Sequence, residues 1–176
     1  MREQFHKTLD KRSFLLYICP LKNKFQVIKL SIMINNNEAE NKNGIFGPIY
    51  NQFCGQPKQA IKHLLKMQNG ECPKALYRKD IGYIDIVWGQ NDPRTNKGFG
   101  LKHIVEKHGD SIKELGFEVE DFIPIVVQYG NLSVKKSDEK KLILESDTFR
   151  IVIQTRWNNQ EKIFLLTAFD LRKKPE

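Results

Sequence analysis

Apolar residues fall at helical spacing in two stretches of the chain. Between residues 57 and 68, Ala60, Ile61, Leu64 and Leu65 stand at i, i+1, i+4 and i+5, which predicts a helix with one apolar face. Pro57 suits its first position, where the missing N–H would have no partner, and Asn69-Gly70 marks its end. Leu101, Ile104, Val105 and His108 stand at i, i+3, i+4 and i+7 and predict a second helix over residues 101–108. Gly109 sits where a C-cap belongs, and residues 110–115 add another turn. Apolar runs bounded by turn residues predict strands at 83–88, 123–129, 141–144, 149–156 and 162–169. Asn158-Asn159 separates the last two as a two-residue hairpin loop. Residues 91–100 (NDPRTNKGFG) read as a loop with turn chemistry throughout.

Helices first and a strand meander afterwards predict an α+β fold, with N-terminal helices packed on a small antiparallel β-sheet. The first 43 residues differ from the rest. Residues 35–43 (NNNEAENKN) are polar and low in complexity, which predicts a disordered linker. Residues 14–21 (FLLYICPL) follow a basic stretch, as a secretion signal does. That run is short, Pro20 interrupts it, and no small-residue cleavage pattern follows. No apolar run approaches the ~20 residues that span a bilayer. The expectation is a cytoplasmic protein without membrane contact. Residues 1–43 would be a poorly ordered or accessory extension and linker, and residues 44–176 the folded domain. Met33, just before the linker, is a candidate alternative start.

Hydrophobic residues make up 40 % of the chain and charged residues 28 %, enough apolar material for one core. The formal charge of +8 invites a polyanion as partner. Much of that charge is local. Residues 1–32 hold seven basic and two acidic residues, whereas the remaining 144 hold 22 basic and 19 acidic. Polyanion binding by the domain must therefore come from clustering. Cys19, Cys54 and Cys72 form no CxxC pair and no Cys/His ligand spacing, so neither a disulfide framework, a metal site nor another cofactor is expected.

The segment from Gly98 to His108 concentrates groups that move protons and neutralise phosphate: His103, His108, Lys102 and Lys107. Imidazole titrates near neutrality, so a histidine pair can supply a general base and a general acid. On a helix His103 and Lys107 share a face, while His108 lies about 140° from His103 on the apolar stripe. If the helix ends at Gly109, its dipole favours a protonated His108. The preceding loop, with Arg94, Lys97, Gly98 and Gly100, can hold phosphate or simply launch the helix; GxG alone does not decide. In the hairpin, Arg150, Val152, Gln154 and Arg156 share one face by period two, as do Ile163, Leu165, Thr167 and Phe169. A two-residue loop at Asn158-Asn159 pairs residue 157 with 160 and puts Arg150 opposite Thr167. Trp88 and Tyr129 end predicted strands, where they can stack on bases or belong to the core.

Three segments together resemble a known family: residues 79–89 (KDIGYIDIVWG), 98–108 (GFGLKHIVEKH) and 164–169 (FLLTAF). They are similar to the phage-associated barnase–EndoU–colicin–RelE-like nucleases (PBECR), over roughly residues 45 to 174. The resemblance implies a metal-independent endoribonuclease on a barnase/EndoU/colicin/RelE-like fold, with its active site across the sheet, and a toxin or phage effector role. It implies catalytic roles for His103 or His108, Lys107, Arg150 and Thr167. Arg94, Lys97, Lys102, Trp88, Tyr129 and Arg156 would contact substrate. Phe164 stands where relatives are expected to carry a tryptophan. Implied partners are RNA, with tRNA one candidate, and an immunity or antitoxin protein. The other reading is a non-catalytic RNA- or protein-binding module on the same fold.

Overall fold

A computed structural model describes residues 43 to 172, with the exception of Asn96. The expectations for residues 1–42 therefore lie outside the described residues. Among the described residues there are three α-helices, α1 (Pro57–Met67), α2 (Gly100–Glu114) and α3 (Val119–Tyr129), and one 3-10 turn at Asn51–Phe53. Six strands form the main sheet: β3 (Glu71–Arg78), β4 (Gly82–Val87), β7 (Asn131–Leu132), β8 (Lys141–Glu145), β9 (Phe149–Trp157) and β10 (Gln160–Asp170). Two small hairpins complete the fold, β1 (Asn43–Gly44) with β2 (Gly47–Pro48), and β5 (Gln90–Asp92) with β6 (Lys97–Phe99).

The main sheet has the order β3-β4-β10-β9-β8-β7. Its neighbours pair antiparallel except β4 and β10, which run parallel at Asp85 and Phe164. The sheet is thus mixed, not purely antiparallel as expected. All three helices bury their apolar stripes in one core with the sheet. Ile61, Leu64, Leu101, Ile104, Ile112, Phe122 and Ile123 meet Ile84, Ile86, Leu144, Ile151, Ile153, Leu165 and Ala168 there. Each fully buried aliphatic side chain contributes about 1.5–3 kcal/mol of transfer free energy.

The predicted helix at 57–68 forms as α1. Its terminus is one residue earlier than Asn69-Gly70, because Gln68 takes the left-handed conformation at φ 55° and donates its N–H to the Leu64 carbonyl. Four strand expectations hold closely, at β4, β8, β9 and β10. The fifth does not: residues 123–129 are helical, as part of α3. Val119, Phe122, Ile123, Val126 and Val127 stand at i, i+3, i+4, i+7 and i+8 and are all buried. Glu120 and Asp121 complement the helix N-terminus. A window opened at Ile123 sees only the β-branched run and misses that period. Pro124 lies inside α3 and is tolerated early in the helix.

Gly109 does not cap the second helix. It is buried inside α2, which runs on to Glu114, and the left-handed residue beyond it is Gly116 at φ 83°. Strand β3 went unpredicted, because Pro73 and a positive-φ Lys74 interrupt the alternation of a strand. Within residues 91–100 the expected loop contains the β5–β6 hairpin.

Candidate functional site

Strand β10 is longer than a regular hairpin partner of β9 requires. Asn158 and Asn159, at φ 49° and 64°, form the predicted two-residue turn, and Gln160 pairs with Trp157. Register then shifts between Glu161 and Phe164 and again between Leu165 and Thr167. Each bulge adds a residue to β10. Arg150 therefore pairs with Phe169, not with Thr167, and Thr167 pairs with Val152. The second bulge also overturns the expected common face of residues 163, 165, 167 and 169. Leu165 enters the core with Ile153, whereas Thr167 and Phe169 join Val152 and Arg150 on the opposite face.

Helix α2 packs along β10 and brings His108 to Phe169. The His108 ring lies 5.4 Å from the Phe169 ring, and the Arg150 guanidinium sits 5.7 Å above the same ring. His103 and His108 approach edge to face at 5.3 Å. His103 Nδ1 lies 3.0 Å from Asn91 Oδ1, and Asn91 Nδ2 donates to Glu106 Oε2 at 2.8 Å. Gly98 makes this approach possible, since a β-carbon there would lie 2.7 Å from His103 Nδ1. Gly100, at φ 77°, passes close to the Trp88 carbonyl and starts α2. The two glycines of the GxG thus serve the packing of the hairpin against the helix.

Burial holds both imidazoles neutral. It pushes His108 down to about 4, with His103 and Lys107 adding to the effect. His103 is lowered first by burial and then by Lys107, while Glu106 opposes the change. The expected protonated His108 is overturned, because α2 continues six residues past it and the dipole's negative end lies at Glu114. Arg150 is paired with Glu145, its cross-strand neighbour on β8, and Lys136 donates to the same carboxylate. These cations hold Glu145 below the usual carboxylate range, Lys136 contributing most. Thr167 Oγ1 is buried and has no hydrogen-bond partner.

The remaining candidates scatter. Lys107 is exposed on α2, and Lys102 Nζ lies 4.0 Å from Glu106 on the same helix. Arg94 is 93 % exposed at the β5–β6 tip, with Lys97 exposed nearby on β6. Arg156 is exposed on β9 opposite Glu161. Trp88 packs against the core, and Tyr129 projects from the end of α3, not from a strand. Phe164 is fully buried among Phe46, Phe99 and Trp157, so no base can stack on it.

Sequence reasoning missed Asn91, Glu106, Phe169 and Glu145 as neighbours of the candidate groups. It also missed an ion triad on β3, β4 and β10, in which Glu71 is buried and Asp85 and Lys162 are partly buried. Lys162 Nζ lies 2.7 Å from Asp85 Oδ2 and 3.0 Å from Glu71 Oε2. The Glu71 contact is a charge pair without hydrogen-bond alignment. Among the described residues no three His, Cys, Asp or Glu side chains stand together as a metal site, and no helix is long and apolar enough to cross a membrane.

The fold is thus an α+β domain with a mixed sheet, in which His108 and Arg150 lie against the Phe169 ring, His103 lies against His108, and Thr167 shares the strand face of Arg150. The sequence places it further. Residues 75–175 match the model of the phage-Barnase-EndoU-ColicinE5/D-RelE like nuclease 1 family (PBECR1), and the chain belongs to that family. Phosphodiester cleavage of nucleic acid is the chemistry of such a family. Helix α1 and the first residues of β3 precede the matched segment. No curated protein and no solved structure matches the chain.

Proposed function

We propose that this domain is a metal-independent endoribonuclease that cleaves RNA by attack of a ribose 2′-oxygen on the adjacent phosphorus. The observation that carries the proposal is the pair of neutral imidazoles beside the sheet face that bears Arg150 and Thr167. In this reading His103 takes the 2′-hydroxyl proton as the new O–P bond forms. The bond to the 5′-oxygen breaks, and that oxygen takes its proton from His108. A bound phosphodiester, being anionic, raises the proton affinity of both imidazoles and so charges the acid only when substrate is present. Arg150 and Lys107 neutralise the phosphorane, and the unpartnered Thr167 hydroxyl donates to one of its oxygens. Lys97, Lys102, Arg94 and Arg156 supply positive charge for flanking phosphates. Residues 44–176 form the nuclease-like domain in this reading and residues 1–43 an accessory extension. The protein would act as a toxin or phage effector in the cytoplasm, restrained by an immunity or antitoxin protein.

A second reading, a non-catalytic RNA- or protein-binding module, draws on one observation: Arg150 is already occupied by Glu145. Incubation with total RNA in excess EDTA separates the two. Cleavage should persist and leave a 2′,3′-cyclic phosphate, and a deoxyribose at the cut site should abolish it. His103→Ala should lower the rate about 10²–10⁴-fold. Intact RNA after long incubation, with binding demonstrated, supports the module instead. Cleavage that requires magnesium, or that proceeds on DNA, overturns the proposed mechanism.

A further inference from the structure

We propose that Asn91 and Glu106 are positioning residues for His103, which hold its imidazole as the Nδ1–H tautomer and leave Nε2 as the proton-accepting nitrogen. Only the use made of Nε2 rests on the ribonuclease reading; the tautomer follows from the hydrogen bonds alone. An asparagine amide has one end that only accepts and one that only donates. Glu106 Oε2 lies 2.8 Å from Asn91 Nδ2, and a carboxylate can only accept, so the donating end faces the helix. The accepting end, Oδ1, is then left 3.0 Å from His103 Nδ1. A carbonyl oxygen has no proton to give, so the ring nitrogen must supply it. Flipping the amide would set Oδ1 against the carboxylate, two acceptors with no hydrogen between them.

Two further contacts adjoin the arrangement. Lys102 Nζ stands 4.0 Å from Glu106 Oε1, one turn away on the same helix. Gly98 pairs with Asn91 across the β5–β6 hairpin. A β-carbon on it would lie 2.7 Å from His103 Nδ1 and 2.8 Å from Asn91 Oδ1, inside the hydrogen bond itself. The hairpin therefore does more than connect β4 to α2: it carries the group that sets the protonation site of the first histidine. Free imidazole in water favours the other tautomer, with the proton on Nε2, so loss of Asn91 should be visible directly on the ring.

The test is a long-range proton–nitrogen correlation spectrum of the ¹⁵N-labelled full chain, taken above the histidine titration range. The wild-type His103 should show a protonated-type shift at Nδ1 and a bare-nitrogen shift at Nε2. Asn91→Ala should move it toward the Nε2–H form. Asn91→Asp combined with Glu106→Gln, which keeps an acceptor oxygen for Nδ1 and a donor between the two side chains, should retain Nδ1–H. In an RNA cleavage assay Asn91→Ala should lower kcat about 10²-fold, with KM little changed, because a misplaced proton-accepting nitrogen spoils the step and not the binding. A wild-type His103 protonated at Nε2, or an Asn91→Ala spectrum identical to wild type, overturns the proposal whether or not RNA is cleaved. The expected spectra with no RNA cleavage leave the relay standing and sink the ribonuclease reading instead. Should Asn91→Ala fail to fold, the spectra of the wild type and of the Asn91→Asp, Glu106→Gln double variant still decide.

Discussion

Replacing His108 with glutamine removes a titratable ring from beside Phe169 and should change how the domain responds to acid. In the folded chain burial, with His103 and Lys107 nearby, pushes His108 from the ordinary 6.5 down to about 4. The unfolded chain takes up the proton near 6.5. Above that pH neither state is charged at this site and stability is indifferent to it. As pH falls from 6.5 toward 4 the unfolded state binds the proton and the folded state does not, so stability is lost, and the loss is complete below about 4. A depression of that size corresponds in full to about 3 kcal/mol. Solvent reaches a substantial part of the ring, and screening reduces the expected effect to about 1–2 kcal/mol. The assay is urea unfolding at pH 7 and pH 4.5 for wild type and His108→Gln. His63 and His103 are lowered by burial and act in the same direction. The carboxylates of Asp80 and Glu145 are held low by their hydrogen bonds. His63, Asp80 and Glu145 titrate in both proteins and cancel in the comparison, whereas the effect between His103 and His108 belongs to the His108 difference. The variant should lose about 1–2 kcal/mol less than wild type on acidification. Equal losses would show that His108 is not buried against Phe169 as described, and would also remove the case for two neutral imidazoles.

Three further outcomes test the fold around the site. Phe164→Ala should cost about 3–5 kcal/mol in chemical denaturation, because the ring is fully buried among Phe46, Phe99 and Trp157; a loss under about 1 kcal/mol would contradict that packing. Lys162→Met leaves Glu71 and Asp85 without their shared cation and should lower stability by about 3 kcal/mol. A Lys162→Met protein of unchanged melting temperature would mean the triad is solvated. Gly109→Ala should raise stability by about 0.5–1 kcal/mol, since the glycine lies inside α2 and an added β-carbon meets nothing within 4 Å; a lower melting temperature would count against the continuous helix.

Local periodicity carried much of the fold. Helix α1, the helical identity of α2 and the strands β4, β8, β9 and β10 were legible because apolar spacing and turn residues act within a few positions of one another. The β9–β10 turn was legible for the same reason: two asparagines tolerate the positive φ it requires. Helix α3 was missed where a β-branched run outweighed a helical stripe that begins four residues earlier, at Val119. Strand β3 was missed because its pairing with β4, and not its own alternation, makes it a strand.

The candidate site divides in the same way. The sequence by itself determined that His103, His108 and Lys107 would share one helix and that Arg150 and Thr167 would lie on paired strands, since both follow from short-range geometry. It also carried the kinship to the nuclease family, whose match spans residues 75–175. Only the tertiary structure decided which groups meet. Two bulges in β10 moved Arg150 from Thr167 to Phe169, and the second turned Thr167 away from the core while Leu165 stayed in it. A one-residue insertion reverses every side chain beyond it, and nothing in FLLTAF announces where the chain will bulge. The neutrality of His108 was decided likewise, by the β10 ring packed against it and by a helix that continued past Gly109. Asn91 reached His103 only because a hairpin folded back over the start of α2, a long-range approach that spacing along the chain does not encode.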